Sequence, residues 1–209
     1  MMAHLQRKSL TFDTFEAFLD WQGLQDTKHE LVDGVPRAMT GVSEGHGIVQ
    51  VNIAVALFNK LRGGPCRPFV SDVAMKTGVR NGRYPDVMVD CGPRNATNRA
   101  LPNPVVVFEV LSPSTEGEDR TVKLWEYNEL RSIAHYVLVE QSMPLIYLYS
   151  RGETGDFRLR AQEVLGLDGV VELPGIGASL SMAEIYEGME FDPEVLAALP
   201  PPTPSPWAG

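Results

Sequence analysis

Residues 105–111 read Val-Val-Val-Phe-Glu-Val-Leu, an apolar run interrupted only by Glu109. Because polar and apolar residues do not alternate in this run, it predicts a strand in the centre of a sheet, covered on both faces. An ionised carboxylate in such a strand is costly to desolvate unless a cation, a metal ion or several hydrogen-bond donors meet it. The run therefore predicts both the centre of the fold and a partner for Glu109.

A second carboxylate, Asp86, begins another strand-forming run, Tyr-Pro-Asp-Val-Met-Val at residues 84–89. Adjacent strands would bring Asp86 and Glu109 together, and the carbonyl group of Val110 could supply a further oxygen. Mg²⁺ or Mn²⁺ prefers oxygen ligands and commonly takes one or two carboxylates with waters and substrate phosphates. The pair thus predicts a divalent metal site. The alternatives are that Asp86 only starts a strand and that Glu109 forms a buried salt bridge with an arginine such as Arg83.

The segment after Glu109 predicts a turn and then a helix over residues 116–130, with Thr115 and Glu118 in the form of a capping box. Asp119, Lys123 and Tyr127 are spaced i, i+4, i+8 and so share one helical face. Lys123 could then reach an attacking water or a developing charge on phosphate. An exposed Asp119–Lys123 pair, worth only about 0.3–0.5 kcal/mol, is the alternative. Two carboxylates and a lysine indicate a hydrolytic site.

Other segments predict an α/β (α+β) chain with a mixed central sheet flanked by helices. Asp33-Gly34 between short apolar runs is typical of a hairpin turn. Residues 47–62 contain few charges and predict a helix that is mostly buried. The remaining predicted elements are a helix at 11–24, strands at 67–77, 84–90, 136–140 and 145–149, edge strands at 157–164 and 169–173, and a short helix at 180–186.

Composition places limits on the class of protein. A chain of 209 residues with 44% hydrophobic content predicts one domain, over residues 1–190, and a proline-rich extended tail at 191–209. The absence of a leader and of a long apolar stretch predicts a soluble, cytoplasmic protein without membrane contact. Cys66 and Cys91 have no metal-binding spacing and are expected to be reduced. The net charge of −9 argues against bulk electrostatic coating of nucleic acid.

Several of these motifs together resemble the Uma-two family of restriction-endonuclease-like proteins. They are Glu-Leu-Val-Asp-Gly at 30–34, His46 before an apolar helix, Tyr-Pro-Asp-Val at 84–87, Phe-Glu-Val-Leu-Ser-Pro-Ser-Thr at 108–115 and the segment 119–123. The resemblance covers about residues 10–151. It implies the restriction endonuclease-like core of the PD-(D/E)xK nuclease superfamily, in the order helix, three strands, helix, strand.

The resemblance also implies roles for individual residues. Asp86 and Glu109 would bind metal, while the superfamily's usual lysine position, two residues after the glutamate, holds Leu111. Lys123 is the matching lysine, supplied from the following helix. Glu30 and His46 would lie near the site, although each could instead be an ordinary polar residue of a hairpin edge or a helix start. Asp72 could line the cleft or face solvent.

Three functional hypotheses follow. The first is a metal-dependent endonuclease that hydrolyses DNA with Mg²⁺ or Mn²⁺, without an organic cofactor. The second is a catalytically inert nuclease fold that serves as a binding or assembly module, which suits the net acidity. The third is a small-molecule binding protein in which an arginine closes on Glu109. Convergence of Asp86, Glu109 and Lys123 in an open cleft favours the first. Uncovered edge strands and the apolar hairpin at 145–149 also suggest a homodimer.

Overall fold

The computed structural model describes residues 10–199 except 114 and 159. The helices are α1 (Phe15–Gln22), α2 (Glu44–Lys60), α3 (Glu116–Glu118), α4 (Leu124–Glu129), α5 (Met182–Ile185) and α6 (Pro193–Ala198). A π-helical turn, Asp119–Lys123, joins α3 to α4, and a 3₁₀ turn spans Pro174–Ile176. α6 forms inside the segment predicted as a tail, and the proline-dense residues 200–206 lie outside the described range.

The strands are β1 (His29–Val32), β2 (Val35–Ala38), β3 (Arg67–Val70), β4 (Ala74–Lys76), β5 (Gly82–Arg83), β6 (Val87–Asp90), β7 (Ala100–Leu101), β8 (Pro104–Val110), β9 (His135–Val139), β10 (Leu145–Ser150), β11 (Gln162–Leu165), β12 (Val170–Leu173) and β13 (Ala178–Ser181). The main sheet has the order β11-β10-β9-β8-β6-β3. β8 pairs antiparallel with β6 and parallel with β9, so the sheet is mixed. The predicted fold class is confirmed, because the core follows the expected order of helix, three strands, helix and strand. These elements are α2, β3, β6, β8, the helical segment 116–129 and β9.

The central strand β8 is covered on both faces, as its apolar run predicts. Val106 and Phe108 pack in one core cluster with Ile53 of α2. Val107 packs in a second cluster with Tyr127 of α4. Since side chains alternate along a strand, Glu109 shares the face of Val107 and therefore looks toward the helical segment 116–129. The alternation of side chains along β8 thus determines that Glu109 contacts the helical segment 116–129 rather than α2.

A second, five-stranded sheet has the order β2-β1-β5-β4-β7 and packs against α1. The predicted hairpin is present, with Asp33 and Gly34 at positive φ in the turn between β1 and β2. The segment predicted as one strand over 67–77 is divided, because β3 pairs with β6 in the main sheet whereas β4 pairs with β5 and β7. β12 and β13 form a separate hairpin.

Two further local predictions are wrong. Cys66 and Cys91 form a disulfide rather than staying reduced. They flank Arg67 and Asp90, which are register partners in the β3–β6 pair, so the strand pairing brings the two sulfurs together. The capping box is also absent, since Thr115 makes no side-chain hydrogen bond to the helix that follows it.

The same structure bears on membrane contact. In the described part of the chain, no helix combines the length and the apolar character that crossing a membrane would require.

Candidate active site

An open cavity of about 420 Å³ brings together the residues predicted for the site. It lies where β6 begins and β8 ends, beneath the hairpin β1–β2 and the first turn of α2. Its walls include Glu30, His46, Asp86, Glu109, Val110 and Lys123. The convergence of Asp86, Glu109 and Lys123 in an open cleft, which the first hypothesis expects, is therefore present in the structure.

Glu109 is met by two side chains of the helical segment 116–129. Lys123 Nζ lies 2.9 Å from Glu109 Oε1, and the Tyr127 hydroxyl donates to the same oxygen at 2.9 Å. Lys123 Nζ also lies 2.8 Å from Asp119 Oδ1. All four residues are buried, so the exposed surface pair considered for Asp119 and Lys123 is not what forms. The predicted helical face is present, with its first part wound as a π turn.

Negative charge exceeds positive charge around this contact. Burial raises the pKa of Glu109 to about 8; Lys123 opposes this shift, and Asp119 and Asp86 add to it. Burial alone would lower the pKa of Lys123, but the carboxylates of Glu109, Glu30 and Asp119 raise it above its usual range. Lys123 therefore stays protonated, and one ammonium serves several carboxylates. This excess of negative charge favours the binding of another cation in the site.

Asp86 is held from α2 and from β8. His46 Nε2 lies 2.9 Å from Asp86 Oδ1, and the backbone N–H of Val110 donates to Oδ2 at 2.7 Å. Gln50 Nε2 donates to the backbone carbonyl of Asp86 at 2.8 Å. His46 lies in the first turn of α2, as the plainer interpretation expected, but it also orients a carboxylate of the cavity. Its buried Nδ1 has no hydrogen-bond partner within the described residues.

Glu30 is held by the buried Arg83 of β5. Arg83 Nη1 donates to Glu30 at 3.0 Å and to Glu118 at 2.7 Å, while Nε and Nη2 bind the two carboxylate oxygens of Glu126. Burial alone would lower the pKa of Arg83, but the carboxylates of Glu126 and Glu30 raise it above its usual range. Arg83 thus binds three other glutamates, and the salt bridge considered between Arg83 and Glu109 does not form. This removes the basis of the third hypothesis.

Arg37 and Gln141 line the cavity and were not predicted from the sequence. Arg37 is the register partner of Glu30 in the hairpin. A two-residue turn at Asp33-Gly34 places residue 32 opposite 35 and therefore residue 30 opposite 37. The pairing of Arg37 with Glu30 could thus have been predicted from the sequence. Gln141 bonds the Ser43 hydroxyl and the Leu111 carbonyl. These two residues lie 98 and 30 positions from Gln141 along the chain, so no local sequence pattern predicts the contacts.

Other charged residues considered for the site lie elsewhere. Asp72 is exposed and pairs with Lys28, so it faces solvent. Arginines from other parts of the chain could form a basic patch around the site, but Arg83 is buried behind the cavity wall. The cavity lining does not contain Arg62, Arg67, Arg80, Arg94 or Arg99. The basic side chains that line it are Arg37 and Lys123.

The donor atoms fit a hard divalent cation that keeps several waters. Asp86 and Glu109 line the same open space, and the N–H of Val110 already faces Asp86. A strand residue directs its N–H and C=O to the same side, so the carbonyl of Val110 also faces that edge. Within residues 10–199 as described, no group of three or more His, Cys, Asp or Glu side chains could enclose a metal. Such a sparse donor set suits Mg²⁺ or Mn²⁺ rather than a closed protein cage.

Comparisons of the sequence with known proteins find a family and two relatives. The sequence profile of the Uma2 family, described as "Putative restriction endonuclease", matches residues 15–183. The uncharacterized protein slr1290 of Synechocystis sp. is 33% identical over 193 residues, covering 91% of this chain and 100% of that protein. The protein sll1609 of the same organism is 27% identical over 149 residues, covering 69% of this chain and 83% of its own length.

Structural comparison finds a solved protein with a similar fold. The crystal structure of a "putative nuclease belonging to DUF820" from Anabaena variabilis matches with a TM-score of 0.66 at 16% identity, covering 82% of this chain and 96% of that one. At this identity the match concerns the fold, which is nuclease-like. Because the family profile spans most of the chain, this protein belongs to the Uma2 family of restriction-endonuclease-like proteins.

Proposed function

We propose that this protein is a metal-dependent endonuclease that hydrolyses phosphodiester bonds of DNA by attack of water on phosphorus. The observation that carries the proposal is the meeting of Lys123 with Glu109, beside Asp86, in an open cavity. A buried lysine and two carboxylates that line one open cavity are costly for stability. Hydrolysis of a phosphate ester uses such a set, because it needs a bound cation, a positioned water and a positive charge.

Asp86, Glu109 and the carbonyl of Val110 would hold Mg²⁺ or Mn²⁺. When bound, the cation polarises a phosphoryl oxygen and lowers the pKa of a bound water. His46 and the Val110 N–H hold the Asp86 carboxylate in place. Lys123 orients Glu109 and offers its remaining donor capacity to the phosphate or to the attacking water.

Substrate access takes place at the edge formed by β2. Arg37 is exposed there, with Nη1 4.0 Å from a carboxylate oxygen of Glu118. A pair of this length at the surface contributes little to stability. Arg37 can therefore leave Glu118 and bind a phosphate next to the one at the cation, which would direct the backbone of the nucleic acid into the cavity.

A catalytically inert binding module is the second candidate, and the net charge of −9 favours it. A nuclease must draw a polyanion into its cleft, and acidic proteins do so less readily. The two candidates differ in a measurable way. Only the nuclease requires Lys123 and a bound cation for cleavage of DNA.

The test is a cleavage assay on supercoiled and single-stranded DNA with Mg²⁺, Mn²⁺ or a chelator. Native protein is compared with Glu109→Gln, Lys123→Ala and Asp86→Asn, each checked for folding by circular dichroism. The matched controls are Glu172→Gln on β12 and Lys76→Ala on β4, both at exposed positions. We expect metal-dependent nicking that the three site variants lose and the controls keep.

Two outcomes would decide against the proposal. The first is absence of cleavage on every substrate together with no Mn²⁺ binding by calorimetry, which would select the inert module. The second is cleavage that persists in folded Glu109→Gln and Asp86→Asn, which would place the activity outside this cavity or in a contaminant.

A further inference from the structure

Helix α2 carries apolar side chains on both of its faces. Val49, Ile53 and Leu57 are fully buried against the main sheet. On the opposite side, Val51, Val55 and Phe58 are 59%, 53% and 56% exposed. The sequence predicts a mostly buried helix here, and the single chain covers only one half of it. An apolar helical face of this kind marks a surface that another molecule covers.

The exposed side forms a regular stripe with a charge at each end. Its residues follow spacings of four, three, four, three and four, which keep them on one helical face. They are Glu44, Ile48, Val51, Val55, Phe58 and Arg62. Arg62 follows the end of the helix, and its guanidinium lies 5.2 Å from the centroid of the Phe58 ring, so it belongs to the same surface. We call these residues the α2 stripe.

The α2 stripe is complementary to its own reverse. Glu44 with Arg62, Ile48 with Phe58, and Val51 with Val55 are pairs of positions with the same sum, 106. Two copies packed antiparallel about a two-fold axis therefore place opposite charges together at both ends and apolar residues together between them. A parallel arrangement would instead oppose glutamate to glutamate and arginine to arginine.

We propose that a second copy of this chain covers the α2 stripe, giving a two-fold symmetric dimer with antiparallel α2 helices. The charge pattern indicates that the partner is a second copy, because a stripe that is complementary to itself in the antiparallel orientation can form a two-fold symmetric, isologous dimer. This places the expected homodimer on a helix rather than on a sheet edge or on the hairpin at 145–149.

The neighbouring edge strand supports a helical contact. β3 ends the main sheet, and a groove between it and α2 is lined by Ala54, Val55 and Phe58 from the helix and by Pro68, Phe69 and Val70 from the strand. Pro68 has no N–H and so weakens any extension of the sheet into a neighbour. Side chains of the second copy can enter the groove while the strand edge stays unpaired.

The antiparallel arrangement has a consequence that rests on the proposed function. The first turn of α2 borders the cavity, which Ser43 and His46 line. The far end of the helix borders a second cavity of about 230 Å³ lined by Arg62, Arg67 and Arg94. Pairing the two ends sets the basic end of one copy beside the acidic cavity of the other. A dimer would then supply positive charge that the single chain lacks near its site.

The dimer itself is tested without any activity measurement, by sedimentation equilibrium of the full chain between about 1 and 100 μM, where weak symmetric contacts are populated. We expect the native chain to dimerise and Val55→Lys to be a monomer with an unchanged circular dichroism spectrum. Val79→Lys is the matched control, because Val79 is 68% exposed and lies outside the α2 stripe. A native chain that stays monomeric overturns the proposal, as does a Val55→Lys variant that still dimerises.

Orientation is tested by exchanging the two charges. Glu44→Lys or Arg62→Glu alone should weaken the dimer about tenfold or more, and the double variant should recover the native dissociation constant. In a parallel dimer like charges are opposed in the native chain and in all three variants, so neither the single variants nor the double variant should change the dissociation constant. Single variants that dimerise as tightly as the native chain, or a folded double variant that does not recover the native dissociation constant, therefore overturn the antiparallel arrangement, whether or not the protein cleaves DNA.

Discussion

Lys123 Nζ lies 2.9 Å from Glu109 Oε1, although the two residues belong to different elements. Glu109 sits on the central strand β8, and Lys123 sits in the π turn between α3 and α4. Position 111, where the superfamily usually places its lysine, is the buried Leu111. The helical segment thus supplies, through Lys123, the positive charge that β8 lacks at position 111. Because both groups are buried, the contact matters for folding as well as for any chemistry.

The first prediction concerns the stability of this contact. Lys123→Ala leaves Glu109 and Asp119 buried without their ammonium, and breaking a buried ion pair typically costs about 3–5 kcal/mol. We expect the free energy of unfolding in urea at pH 7 to fall by about that amount. Adding Asp119→Asn should recover part of the loss, since it removes a buried carboxylate that has lost its ammonium partner. A loss below about 1 kcal/mol in the single variant would show that the pair is hydrated in solution.

The second prediction concerns Arg83, whose guanidinium joins β5 to Glu30 and to the helical segment 116–129. Arg83→Met leaves three carboxylates facing a buried thioether and should cost about 3–5 kcal/mol. Arg83→Lys should also destabilise, because an ammonium cannot reproduce the two parallel bonds to Glu126. Arg99→Met is the control: Arg99 is exposed and pairs with Asp20, so the change should cost less than about 1 kcal/mol. Equal losses in Arg83→Met and Arg99→Met would contradict this assignment.

The parts of the structure that follow from local sequence could be predicted. The apolar run around Glu109 fixes a central strand because its residues must be buried on both faces. The i, i+4, i+8 spacing of Asp119, Lys123 and Tyr127 places them on one face of the helix that follows. The Asp33-Gly34 turn determines the register of its hairpin. In each case the signal and the structure lie within a few residues of each other.

Features that depend on which strands become neighbours could not be predicted in this way. Cys66 and Cys91 meet only because β3 and β6 pair with Arg67 opposite Asp90. Arg83 lies between the strands predicted at 67–77 and 84–90, and its contacts form only when β5 pairs with β1 and α4 brings Glu126 to its guanidinium. The contact of His46 with Asp86 spans 40 residues, and only the family resemblance placed the two near each other.

The third prediction concerns Gly82, the residue of β5 that lies against α1. A Cβ atom added there would overlap the ring of Phe15, which is itself buried in the core of the second sheet. Gly82→Ala should therefore destabilise by about 1–3 kcal/mol, the range found for overpacking a core. Gly82→Ala with Phe15→Leu should be more stable than Gly82→Ala alone. Gly47→Ala in α2 serves as a control of opposite sign, since its Cβ would meet nothing within 4 Å and alanine favours helix by about 1 kcal/mol.

The fourth prediction concerns His135, which lies at the start of β9 away from the cavity. The backbone N–H of Gly175 donates to His135 Nε2 at 3.2 Å, so this nitrogen must be unprotonated, and Nδ1 lies 2.9 Å from the Ser150 hydroxyl. The ring is therefore neutral in the folded protein, and burial lowers its pKa from 6.5 to about 4.

Stability should depend on pH through this ring. Between pH 4 and 6.5 the unfolded chain binds a proton at His135 that the folded chain does not. The contribution of His135 to stability is thus complete above pH 6.5 and is lost as the pH falls toward 4, with a slope of up to about 1.4 kcal/mol per pH unit. Urea unfolding of the native chain and of His135→Gln, measured between pH 4.5 and 7.5, checks this. The difference in stability between the two should shrink as the pH falls, whereas parallel curves would mean that the pKa of His135 is the same in the folded and the unfolded chain.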